Sequence, residues 1–180
     1  MALQKDVCTI MKEYSYDYEK MAKLFNQKPK IIEDWIVGKI LLSEEDLANI
    51  ESYLNEFILS SNYRDCSGLL FLQDLLFYNS SSGDYDLEMK YLFSSSKVVK
   101  LYPRIFQIRK DSFNFLVCRI LQRLGMLKCD HIGLDTYRLV ITKAGLAYLI
   151  RDRLEQSKRF DELNDESIAI YLSKVEIEGD

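Results

Sequence analysis

Leu3, Val7, Ile10, Met11 and Tyr14 stand three or four residues apart, the spacing that gathers apolar side chains on one face of a helix, and the pattern breaks at Ser15. Tyr18, Met21, Ala22 and Phe25 resume it on a short second helix, for which Asp17 is a suitable N-cap because its carboxylate can accept from first-turn amides. A third helix is predicted from about Lys28 to Val37, with Pro29 in its first turn, Ile31, Ile32 and Trp35 facing inward and Gly38 as its stop. Ser43-Glu44-Glu45-Asp46 resembles a capping box with Asp in place of Glu, opening a fourth helix lined by Leu47, Ile50, Leu54, Phe57 and Ile58. Residues Ser60 to Ser67 lose the period and read as a joint between two domains.

Beyond the joint, Leu69, Leu70, Leu72, Leu75, Leu76 and Phe77 predict an apolar helix with little exposed surface. The Asn79 to Asp84 stretch is a plain loop without the Gly-x-Gly or Walker spacing that cradles a nucleotide. A short helix at about 85–93 follows, then a piece at 97–108 in which Pro103 breaks any long helix. Phe113, Leu116, Val117, Ile120, Leu121 and Leu124 line one face of a helix from Asp111 to Leu124, which Gly125 ends. Met126 to Cys129 and Thr136 to Ile141 read as a β-hairpin around the loop from Asp130 to Asp135, and Thr142 caps a last amphipathic helix. The predicted architecture is mostly α: a helical module over 1–60, a second module over 66–155 with a small β-hairpin, and an acidic tail over 156–180. In that tail Ile168, Ile170, Tyr171, Leu172 and Val175 are spaced for one short helix.

Composition narrows the class. With 180 residues, 48% of them hydrophobic and only 2 Pro, the chain is neither disordered nor collagenous. Asp6 interrupts the stretch where a secretory signal would be apolar, and no run reaches the roughly 18 apolar residues of a membrane span, so a soluble, cytoplasmic protein is expected. Cys8, Cys66, Cys118 and Cys129 are far apart in sequence and lack a zinc spacing, which predicts buried free thiols. His131 is the one histidine and has no ligand cluster around it, so neither a metal nor a cofactor is expected.

The net charge of −4 conceals an uneven distribution. Residues 97–150 carry 10 cations against 3 anions, while every other segment is acidic. Within 97–128, Lys97, Lys100, Arg104, Arg109, Lys110, Arg119, Arg123 and Lys128 face the single anion Asp111. Such a concentration is what a phosphate-binding surface needs, although a solvated basic helix has the same composition.

Two resemblances bear on these features. Met21-Ala22, Phe25, Ile32, Trp35 and Gly38-Lys39 stand at the spacing of the helix-turn-helix of the lambda repressor and Cro family. That resemblance implies a recognition helix starting near Lys28, with Lys28, Lys30, Ile31 and Asp34 toward base edges and Tyr18 toward phosphate. The run Phe113 to Leu127, the hairpin, and Tyr137 to Gly145 are similar to the winged helix of the MarR and PadR regulator groups, with its progression of helix, Leu-x-x-x-Gly-Leu, wing and Leu-Thr-x-x-Gly. It implies a major-groove helix from about Lys110 and a wing over His131 to Asp135. Arg109, Lys110, Ser112 and Asn114 would then reach base edges or phosphates, and Arg119, Arg123, Lys128, Lys97, Lys100 and Arg104 would neutralise phosphates.

The expected function is therefore a DNA-binding transcriptional regulator, a homodimer reading double-stranded DNA through the basic winged-helix region. The alternative is a protein–protein adaptor or anti-repressor that uses helix-turn-helix folds as docking surfaces, favoured by Glu33-Asp34 on the third helix. An enzyme is not expected: the 12 Tyr lack the Arg-His-Arg companions of a tyrosine recombinase, and Glu44-Glu45-Asp46 lie at a helix start where acids are at home.

Overall fold

The structure is a computed structural model that describes residues 2–59, 67–94 and 96–179. The chain is mostly α with two small sheets, and its contacts divide it into two units. The first comprises Met1–Cys66 with Lys110–Leu116, and the second Ser67–Arg109 with Val117–Asp180. Among the described residues no helix is long and apolar enough to cross a membrane.

In the first unit, α1 (Ala2–Tyr14) ends where Ser15 turns left-handed. α2 (Tyr18–Phe25) begins at Asp17, whose carboxylate accepts from the Lys20 amide at 2.8 Å, as the sequence suggests. Asn26 closes α2 at φ 53°, a conformation Asn tolerates better than most residues. α3 (Pro29–Ile36) starts on proline, whose missing N–H is one the first turn could not have satisfied internally. α4 (Glu44–Leu59) is capped by the Ser43 hydroxyl, which accepts from the Asp46 amide at 3.2 Å. Met21, Ile32, Trp35, Ile50, Leu54 and Ile58 are all buried to 2% exposure or less and form the core. Ala22 is buried on α2, which packs against α3, and burying the Trp35 ring contributes on the order of 3 kcal/mol.

The second unit opens with α5 (Ser67–Asn79) and α6 (Tyr85–Leu92). α5 does not hide its surface as expected: Leu70, Phe77 and Tyr78 are exposed, because its apolar residues surround the whole helix rather than one face. The 97–108 piece forms two strands, β1 (Val99–Leu101) and β2 (Arg104–Gln107), separated at Pro103. After α7 (Phe113–Arg123), which belongs to this unit from Val117 onward, come β3 (Leu127–Gly133) and β4 (Thr136–Ile141). β3 and β4 pair antiparallel, and β2 adds to the other edge of β4, so the expected hairpin is a three-stranded sheet in the order β2-β4-β3. The strands run through most of the expected wing loop and leave a tight turn at Leu134-Asp135.

Asn79, at the end of α5 and fully buried, ties this sheet to the helix layer. Its Nδ2 donates to the carbonyls of Tyr102 (2.9 Å) and Leu139 (3.1 Å), and its Oδ1 accepts from the Ile141 amide (2.9 Å). The Thr142-x-x-Gly145 motif has a comparable physical origin. Thr142 caps α8 (Lys143–Gln156) by accepting from the Gly145 amide, and it donates to the Gly125 carbonyl at 2.5 Å. Gly145 has no alternative, since a Cβ there would lie 2.2 Å from the Met126 carbonyl oxygen.

The segment expected to be an acidic tail is folded. A 3-10 turn (Phe160–Glu162), α9 (Asp165–Leu172) and β5 (Val175–Ile177) follow α8, and β5 pairs parallel with β1. Arg151 holds Asp165 at 2.9 Å, and the Lys174 ammonium donates to the Tyr91 carbonyl at 2.8 Å. The thiols also depart from expectation: Cys118 is buried and Cys129 half-buried, but Cys8 lies on the exposed face of α1. Cys66 and residues 60–66 of the expected joint lie outside the described residues, and Ser67, its last residue, begins α5.

Candidate nucleic-acid interface

The first unit contains a helix–turn–helix in the plain geometric sense. α2 and α3 pack together and are joined by the three residues Asn26, Gln27 and Lys28. Lys28, Pro29 and Lys30 are exposed at the amino end of α3, and Lys28 supplies no side-chain cap there. The amino end of α3 therefore has no side-chain cap, and two lysines stand in its first turn and at its N-cap, a composition that favours an anion at a helix terminus. Lys20 and Lys23 are exposed on α2, with the Lys20 ammonium 5.5 Å from the centre of the Tyr16 ring.

The acidic pair on α3 is partly answered within the helix. Lys30 reaches Asp34 one turn on, at 3.2 Å, and that hydrogen bond and charge, with Glu33 adding to them, raise the Lys30 ammonium above its ordinary value. The Lys30 side chain stays 69% exposed, and an exposed pair of this kind is weak enough to exchange for another anion.

The eight cations of 97–128 are distributed over several elements. Lys97 lies beside the Tyr91 ring at 5.4 Å, and Lys100, in the middle of β1, stands opposite Glu176 of β5 in register. Arg104 opens β2 with its guanidinium 5.7 Å from the Tyr102 ring centre. Arg109 is exposed at the end of its segment of the second unit. Lys110, Ser112 and Asn114 belong to the first unit, where the Phe113 ring meets Tyr14 edge-on at 5.7 Å. Ser112 caps α7, its hydroxyl accepting from the Phe115 amide at 3.2 Å, while Asn114 and Lys110 are exposed. Arg119 is half-buried, and burial followed by the neighbouring Arg123 charge lowers its guanidinium below the ordinary value. Arg123 and Lys128 are exposed in the second unit.

Chain order in the second unit also differs from a helix-turn-helix. β1 and β2 stand between α6 and α7, where that motif has a short turn. The β3–β4 turn carries Asp135 and no Lys or Arg, with Ile132 and Leu134 exposed, the latter by 89%. His131 lies on β3 with its ring stacked on Tyr137 at 5.0 Å. Sequence reasoning passed over Arg138, which shares a sheet face with Lys128 and stands opposite Asp130. Strand alternation across 136–141 would have found it. Lys20 and Lys23 were likewise passed over, although their offset from the buried Met21, Ala22 and Phe25 places them on the outer face of α2.

Among the described residues no group of three His, Cys, Asp or Glu side chains is placed to hold a metal ion. No family model, curated protein or solved structure matches the chain.

Proposed function

We propose that this protein binds duplex DNA, with the helix–turn–helix of the first unit as the element that enters the groove. The observation that carries the reading is the exposed amino end of α3, where Lys28 and Lys30 flank an uncapped helix terminus on a buried Ala22–Trp35 scaffold. Lys20 and Lys23 on α2 have the charge to contact phosphate beside it. A transcriptional regulator acting as a homodimer is the role that fits, because one short helix buries too little surface for useful affinity and a second half-site supplies the rest.

The test is fluorescence anisotropy of the full chain on duplex DNA between 50 and 200 mM salt, conditions across which phosphate-driven binding falls steeply. Lys28→Ala and Lys30→Ala should each weaken binding and reduce the salt slope by about 1. Unchanged affinity and slope in the double variant would remove α3 from the interface. A second reading, a protein-docking adaptor, is favoured by the acidic β3–β4 turn with its exposed Leu134. Absence of any salt-dependent affinity for duplex would favour it.

A further inference from the structure

Two free thiols that are distant in sequence meet inside the second unit. Cys118 lies on α7 with 2% of its surface exposed, and Cys129 lies on β3, half-buried and opposite Leu139. One turn beyond Cys118 on the same helix, the Gln122 amide donates to the Cys129 carbonyl at 3.4 Å, which holds this stretch of β3 against that part of α7. Cys129 lies on the same face of β3 as the buried Leu127, the face that packs on the core, and each thiol shifts the titration of the other. Closing a disulfide between them requires the two Cα atoms to come within roughly 7 Å with their Cβ atoms facing each other.

We propose that Cys118 and Cys129 form an oxidisable dithiol, at which a small hydroperoxide closes an intramolecular disulfide between α7 and β3. Cys129 is the more accessible sulfur and reacts first. Its thiolate attacks the peroxide, an S–O bond forms as the O–O bond breaks, and the departing hydroxide takes a proton to become water, leaving a sulfenic acid. The Cys118 sulfur then attacks Cys129. The S–S bond forms, the S–O bond breaks, and the Cys118 proton leaves with the hydroxyl as a second water. Two thiols and one hydrogen peroxide thus give one disulfide and two waters. Burial pushes both thiols above their ordinary values, Cys118 to about 12, so little thiolate is present at neutral pH and the reaction with peroxide is slow and speeds up as pH rises.

The experiment treats the full chain with hydrogen peroxide, blocks the remaining thiols by alkylation and maps disulfides by peptide mass spectrometry. The expected result is a reductant-reversible cross-link between the peptides carrying Cys118 and Cys129, with the thiol count in denaturant falling from 4 to 2. Cys118→Ser should leave a dimedone-trappable sulfenic acid on Cys129, and Cys129→Ser should abolish the cross-link. Mapping of the unsubstituted chain decides the matter even if a variant fails to fold. Cross-links to Cys8 or Cys66 instead, or Cys129 passing to sulfinic acid without engaging Cys118, would overturn the proposal.

Discussion

Replacing Asn79 tests whether one buried amide couples the α5 end to the sheet of the second unit. Asn79→Ala deletes three hydrogen bonds, of 2.9, 3.1 and 2.9 Å, at a position with no solvent exposure. The heaviest loss is at the Ile141 N–H, a buried donor left without its acceptor, which costs roughly 1–3 kcal/mol. The Tyr102 and Leu139 carbonyls keep a second lone pair, so each loses nearer the net value of a hydrogen bond, about 0.5–1.5 kcal/mol. The expected destabilisation is therefore roughly 3 kcal/mol, a large part of the about 5–15 kcal/mol that holds a typical domain. Urea unfolding separates the units, because Trp35 is the chain's only tryptophan and reports on the first, whereas far-UV circular dichroism reports on both. The midpoint of the second unit should fall at unchanged slope. Asn79→Asp sharpens the test: it keeps an acceptor for Ile141 but turns a carboxylate oxygen toward two carbonyls. Its folded-state carboxyl is thereby raised, so this variant should lose stability as pH rises through about 4 and recover on acidification. A loss below about 1 kcal/mol for Asn79→Ala would refute the reasoning.

Three further outcomes follow from the same contacts. Gly145→Ala places a methyl 2.2 Å from the Met126 carbonyl oxygen, a backbone atom that cannot swing away, so it should destabilise the second unit by about 1–3 kcal/mol in the same urea assay. Thr142→Ala removes both the α8 cap and the bond to Gly125 and should cost about 1–2 kcal/mol, whereas Thr142→Ser, which keeps the hydroxyl, should recover most of it. Burial holds the Cys118 thiol at about 12 against an ordinary 9.0, with the Cys129 thiol adding to the shift. The unfolded chain thus releases this proton first, and the stability present below pH 9 is lost as pH rises toward 12. Unfolding midpoints at pH 8 and 10.5 should show a decline on the order of 2 kcal/mol smaller in Cys118→Ala than in the unsubstituted chain.

The four helices of the first unit and their caps were legible from the chain alone. Apolar spacing over 2–59 and the local chemistry of Asp17, Pro29, Gly38 and Ser43 involve only neighbours along the chain, and the structure agrees with each. Helix and hairpin positions in the second unit were legible for the same reason, as was the Thr142 cap. What tertiary structure decided is non-local. β1, β2 and β5 are three or four residues long, too short to display a period, and they are strands because partners far along the chain satisfy their amides. The basic run of 97–128 reads as one cluster in sequence, yet its members stand on strands, a helix and connecting segments, since side-chain direction depends on which element each residue joins. Likewise nothing in the spacing of Cys118 and Cys129 foretells their meeting, because contact between a helix and a strand is set by how the two pack and not by the residues between them.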